Sequence, residues 1–166
     1  MLDSGIKPNP KDATGQTPLN IAIEAGDTGM ARLLLAAGAN PNQRGKNRQT
    51  PLVLAASTGD ITLCRLLLDY GAKTSRTGHL LVTPLMCAIR IDNHDLIKLF
   101  LERKAPVNQA DNEGTTALHL AVRSGNCTVL ASLAGAGAAI EAADVTGLTP
   151  LALAAQSGNK IGRAHV

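Results

Sequence analysis

The tripeptide Thr-Pro-Leu returns at a constant interval of 33 residues, and that interval constrains the fold more than any other property of the chain. It occurs as Thr17-Pro18-Leu19, Thr50-Pro51-Leu52 and Thr83-Pro84-Leu85, then as Thr116-Ala117-Leu118 and Thr149-Pro150-Leu151. A fixed period of this length means that one supersecondary unit is repeated along the chain. Other positions keep the same phase. Ala22, Ala55, Ala88, Ala121 and Ala154 follow each Thr at one spacing, and Gly26, Gly59, Gly125 and Gly158 at another, with Asp92 as the exception. Asp27, Asp60, Asn93, Asn126 and Asn159 come next, followed by the apolar clusters Leu33-Leu34-Leu35, Leu66-Leu67-Leu68 and Leu99-Phe100-Leu101. Gly38-Ala39, Gly71-Ala72 and Gly137-Ala138 close the unit, with Lys104-Ala105 as the variant.

Each position has a physical reason. Thr is a helix N-cap, and Pro at the first helical position gives up an N–H that would be unpaired anyway. Gly ends the first helix in a left-handed conformation, and Asp or Asn caps the second. The leucine cluster is the buried face of that second helix. The remaining residues, rich in Asn, Asp, Gly and Pro, form a turn or hairpin leading to the next Thr. One unit is therefore two short antiparallel helices and a projecting loop. It cannot bury its apolar face alone, so units must stack and share a core.

This pattern resembles the ankyrin repeat, whose motif is Thr-Pro-Leu-His-x-Ala at the same period. Thr116-Ala117-Leu118-His119-Leu120-Ala121, with Asp111 and Gly114 before it, carries the likeness most fully, and the likeness covers nearly the whole chain. It implies an all-α ankyrin-repeat solenoid of stacked helix-turn-helix units with projecting β-hairpin-like loops. The period divides the chain into a partial unit at 1–11, full units at 12–44, 45–77, 78–110 and 111–143, and a partial unit at 144–166. Asn20, Val53, Met86 and Ala152 replace the motif histidine elsewhere. Gly15, Gly114 and Gly147 stand two residues before their Thr, but Arg48 and Leu81 hold that position in the second and third units, whose loops are expected to bend differently. Both ends fall inside units, as expected of a segment from a longer array. Residues from about Gly162 onward leave the pattern and read as a frayed or vector-derived tail.

Composition fits a stacked array and narrows function. Hydrophobic residues make up 45% of the 166, yet Tyr70 and Phe100 are the only aromatics, so Leu, Ile, Val and Ala must build the core. A net charge of +3 favours acidic partners only weakly, and without aromatic stacking platforms it does not point to nucleic acid. The longest apolar, small-residue run, Ala131 to Ile140, is too short to span a bilayer, so no membrane insertion is expected. Cys64, Cys87 and Cys127 form neither a disulfide framework nor a zinc signature. With no secretory signal in view, they read as reduced thiols of a cytoplasmic or nuclear protein.

Candidate catalytic groups dissolve into repeat positions. Asp12, Asp111 and Asp144 share one, and Asp27 and Asp60 another; carboxylates fixed by period are turn or cap residues. His79, His94, His119 and His165 lie apart and complete no triad. Gly71-Ala72-Lys73-Thr74 lacks the glycine spacing of a phosphate loop, and Asn126-Cys127-Thr128 is a sequon at a helix cap. No enzyme, cofactor or metal site is implied.

Partner binding is expected where repeats differ while their framework stays fixed. Near the end of the first helices stand Glu24-Ala25, Ser57-Thr58, Arg90-Ile91, Arg123-Ser124 and Gln156-Ser157. Stacking brings Arg90 and Arg123 side by side, either as an anchor for a carboxylate-bearing segment or as solvated helix-face charge. Reversing both charges is expected to weaken binding without lowering the melting temperature. The second loop carries Arg44, Lys46 and Arg48, and the third Lys73, Arg76, His79, Leu80, Leu81 and Val82. The fourth is acidic, with Asp111 and Glu113. Leu80-Leu81-Val82 reads as an apolar contact tip, unless Leu81 folds inward. An extended peptide with an apolar anchor and acidic flanks complements this rim. The family resemblance implies a protein-binding array, monomeric in isolation, that serves as an adaptor, an inhibitor or a substrate-recognition scaffold. The alternative is an intramolecular regulatory segment of a larger channel or enzyme. It also implies hydroxylation of asparagines near loop starts, where Asn42 and Asn108 stand.

Overall fold

The computed structural model describes residues 9–163, with side chains through 156. Its helices follow the period: α1 (Pro18–Glu24) and α2 (Thr28–Ala36), α3 (Pro51–Thr58) and α4 (Ile61–Asp69), α5 (Pro84–Arg90) and α6 (His94–Glu102), α7 (Ala117–Ser124) and α8 (Cys127–Gly135), and finally α9 (Pro150–Arg163). No strand occurs among the described residues, so the fold is an all-α solenoid.

Caps set the helix starts. Thr17, Thr50 and Thr83 each accept a first-turn N–H through Oγ1, at 3.2, 3.4 and 3.2 Å. Asp27, Asp60, Asn93 and Asn126 do the same for the second helices, at 2.8 to 3.1 Å. Gly59 and Gly125 end α3 and α7 in the left-handed region, and Asp92 takes that conformation too, at φ 52. Aspartate tolerates it better than most residues, which is why the exception does not break the third unit.

α9 departs from the expected pattern. It runs through Gly158, where the period places a helix end, and continues to Arg163. Of the tail read from Gly162 onward, residues 164–166 lie outside the described residues.

One continuous core joins the units. Leu19, Leu52, Leu85 and Leu118 are buried at equivalent positions, as are Leu63, Leu96 and Val129 in the second helices. Ala22, Ala55, Ala88 and Ala121, all buried, let the first helices approach closely. Each of these helices packs against the next, α1 on α3, α3 on α5, α5 on α7 and α7 on α9, more closely than α2 packs on α4 or α4 on α6. Tight spacing on one side and looser spacing on the other curves the stack, with the first helices and their loops on the inner side.

Candidate functional site

The loops on the inner side come in two geometries. Where a loop opens with Asp12, Asp111 or Asp144, the carboxylate folds over its own turn. Asp12 Oδ1 accepts from the amides of Thr14 and Gln16, Asp111 Oδ1 from Glu113 and Thr115, and Asp144 Oδ1 from Thr146 and Leu148, all at 2.8 to 3.1 Å. Hydrogen bonds from the Thr14 and Thr146 side chains are the largest cause that holds the Asp12 and Asp144 carboxyls below the ordinary value of 3.8. Gly15, Gly114 and Gly147 close these turns at positive φ.

In the second and third loops glycine takes the aspartate position and a side-chain residue takes the glycine position. The turn then slides by one residue. Gln49 N–H donates to Lys46 O and Val82 N–H to His79 O, around Asn47-Arg48 and Leu80-Leu81, all at φ 53 to 60. Two consecutive left-handed residues make a type I′ turn, which ordinarily selects Asn-Gly. Asn47 suits it; Arg48, Leu80 and Leu81 do not. At Gly45 and Gly78 the loop and first helix of the preceding unit leave little room for a side chain. A Cβ on Gly45 would overlap the Asn20 amide, and one on Gly78 the Gln49 amide and, at 2.9 Å, Val53 Cγ1. The two loops do bend differently.

Neighbouring loops are stitched into one row. Asn112 N–H donates to Leu80 O at 3.1 Å, and Val145 N–H to Glu113 O at 2.9 Å. His119, fully buried, accepts the Thr116 amide on Nδ1 at 3.2 Å, while its Nε2 lies 3.0 Å from Leu148 O in the next loop. The pair of contacts suits the tautomer protonated on Nε2. Asn20, at the same repeat position, donates to Gln49 O at 3.4 Å. The motif histidine is thus a loop-to-loop tie.

Arg90 and Arg123 stand on the inner helices α5 and α7, and each has a partner that sequence reading did not supply. Arg90 Nη2 lies 3.5 Å from Asp111 Oδ2, and Arg123 Nη2 lies 3.6 Å from Asp144 Oδ2. The aspartate side chains are only 4% and 5% exposed, the arginines 49% each. The guanidinium therefore braces the following loop and keeps half its surface in water. A signal for this was present: arginine occurs where the next loop opens with aspartate (Asp111, Asp144), and Glu24 and Ser57 occur where it opens with Gly45 and Gly78. Charge reversal would set a second carboxylate against a buried one. Such a change is expected to lower stability as well as binding, so Arg→Gln is the cleaner probe of the binding role.

Ser57 and Thr58 are exposed but turn their hydroxyls back on the carbonyls of Leu54 and Ala55. Ile91 is 44% exposed. Lys46, Arg48, Arg76 and His79 are exposed, and none enters an ion pair among the described residues. Leu80 and Leu81 are 51% and 50% exposed, so Leu81 does not fold inward, whereas Val82 is half-buried against the core.

On the opposite side, Asn42 and Asn108 are committed. Their amides donate to Gly71 O and Gly137 O at 2.9 and 3.0 Å and accept from Lys73 and Ala139 N–H at 2.8 and 2.7 Å. Cys64 and Cys87 are buried, and burial pushes their thiols up to about 12 and about 11; Cys127 is exposed. Among the described residues no group of three or more His, Cys, Asp or Glu is placed to hold a metal, and no helix is long and apolar enough to cross a membrane.

The family model for ankyrin repeats (3 copies) matches residues 1–78 and 79–144. No curated protein matches the chain.

Proposed function

The chain belongs to the ankyrin-repeat family, whose repeats are in general protein–protein interaction modules, and from that premise we propose that it binds a protein segment along its row of loop tips and the inner ends of its first helices. The observation that carries this reading is the third loop tip. Leu80 and Leu81 are half-exposed, apolar and held at φ 56 and 60, a conformation that disfavours leucine and that Asn-Gly would adopt at less cost in the same turn. Leucines kept in that setting serve contact rather than folding. Lys46, Arg48 and Arg76 beside them supply positive charge and enter no ion pair among the described residues, which fits a partner of acidic character. Arg90 and Arg123 contribute their exposed halves to the same surface, with Ser57, Thr58, Ile91, His79 and Val82 around them. The array works as an adaptor, an inhibitor or a recognition scaffold, monomeric by itself, without catalysis of its own, in the reducing cytoplasm or nucleus.

A second reading draws on the two end faces. Ile21, Met30 and Leu33 are exposed at one, and Ile140 and Leu151 at the other, with an apolar hollow of about 220 Å³ beside Leu118 and Leu130. In this reading those faces pack on further parts of a larger channel or enzyme, which the array regulates.

Peptide display selected on the full chain tests the main proposal. Selected peptides should lose affinity for the Arg48→Glu and Leu81→Asn variants and for Arg90→Gln. Peptides that bind all three variants as tightly as the parent chain overturn it.

A further inference from the structure

Resting on the protein-binding reading above, we propose that the partner is an extended segment with an acidic, a large apolar and a basic residue in that order, about three residues apart. The order is read from the chemistry of consecutive loop tips. The second tip presents Lys46 and Arg48, both exposed. The third presents Leu80 and Leu81, each half-exposed. The fourth presents Glu113, exposed, while Asp111 beside it is buried and faces Arg90. The sequence of tips is therefore basic, apolar, acidic.

These tips form a continuous row rather than separate projections. Gly78 at the base of the third loop packs on Gln49 of the second, and Asn112 N–H of the fourth donates to Leu80 O of the third. Successive helices pack on the order of 10 Å apart, which sets the distance between tips. A chain in the extended polyproline II conformation rises about 3.1 Å per residue with about three residues per turn, so side chains three residues apart share one face and bridge one tip to the next. A segment with Glu or Asp, then Leu, Ile, Met or Phe, then Lys or Arg at that spacing meets every tip with its complement. Either chain direction satisfies the match, because side-chain order rather than backbone polarity is read.

The test uses the full chain and three labelled peptides in a Ser/Gly background, followed by fluorescence anisotropy at low ionic strength. One peptide carries Glu, Leu and Lys three residues apart; the others carry Glu, Leu, Glu and Lys, Leu, Lys. Exposed ion pairs and like-charge contacts of this kind each change affinity by up to about 5-fold. Each symmetric peptide loses one pair and gains one repulsion, so the Glu-Leu-Lys peptide should bind several-fold more tightly than either, up to about 25-fold. Glu113→Lys should invert the preference toward Glu-Leu-Glu, and Lys46→Glu with Arg48→Glu toward Lys-Leu-Lys. Equal affinities for the three peptides, an unchanged ranking in both variants, or no binding of the matched peptide overturns the proposed order. If displayed peptides of another pattern still depend on Arg48 and Leu81, protein binding by the tips survives that result. If none does, both readings fall.

Discussion

Replacing Arg48 by glycine should make the protein more stable and a poorer binder, two effects that a purely structural residue cannot combine. Arg48 sits at φ 59 at the second left-handed position of its turn, is exposed, and makes no ion pair among the described residues. The left-handed conformation costs an L-residue roughly 1–2 kcal/mol, which glycine does not incur. Glycine in turn loses more chain entropy on folding, roughly 0.5–1 kcal/mol. Asn47 already occupies the first position, so Arg48→Gly completes the Asn-Gly pair that type I′ turns select. The net gain is about 0.5–1 kcal/mol. For a chain of this size that corresponds to about 1–4 °C in melting temperature. Urea denaturation followed by far-ultraviolet circular dichroism should show a higher midpoint at unchanged slope. Peptides selected on the parent chain should bind the variant several-fold more weakly. Destabilisation, or undiminished affinity for every selected peptide, would refute the reasoning.

Leu67→Ala should cost about 3–5 kcal/mol through the cavity it leaves at a fully buried site, while Leu33→Ala, from the corresponding cluster but 60% exposed, should cost under about 1 kcal/mol; denaturant melts of both variants check the contrast. Under native conditions iodoacetamide should modify Cys127 and spare Cys64 and Cys87, whose thiols burial holds at about 12 and about 11; rapid labelling of all three, read by intact mass, would contradict the stacked core. The Asp12 and Asp144 carboxyls are held below 3.8, so the stability they contribute is present above that pH and is lost as pH falls through their lowered values. Acid melts of Asp144→Asn should accordingly show a shallower loss of stability below pH 3.8 than the parent chain.

Much of the fold was legible because the signals are local. A Thr-Pro start, an Asp or Asn cap and a leucine cluster each act within one turn of helix, and the period repeats them often enough to exclude accident. What escaped was the chemistry between units. The Arg90–Asp111 and Arg123–Asp144 contacts join a helix to the following loop, and only a column-by-column comparison of units shows arginine paired with aspartate. Gly45 and Gly78 escaped likewise: their need for a missing side chain comes from Gln16, Asn20, Gln49 and Val53 of the preceding unit. The exposed loop tips were legible as variable positions, but the left-handed backbone of Leu80 and Leu81 follows from a one-residue slide of the turn that no propensity encodes. The run of α9 through Gly158 also escaped, because a positional glycine rule places a helix end there.

Consecutive loop tips are proposed to act as one protein-binding row. Amide hydrogen exchange on the full chain, with and without a saturating selected peptide, measures this directly. Exchange should slow at residues 46–49, 79–82 and 112–113 together, with little change along α2, α4 and α6. Protection confined to those outer helices, or to the hollow beside Ile140 and Leu151, would contradict it.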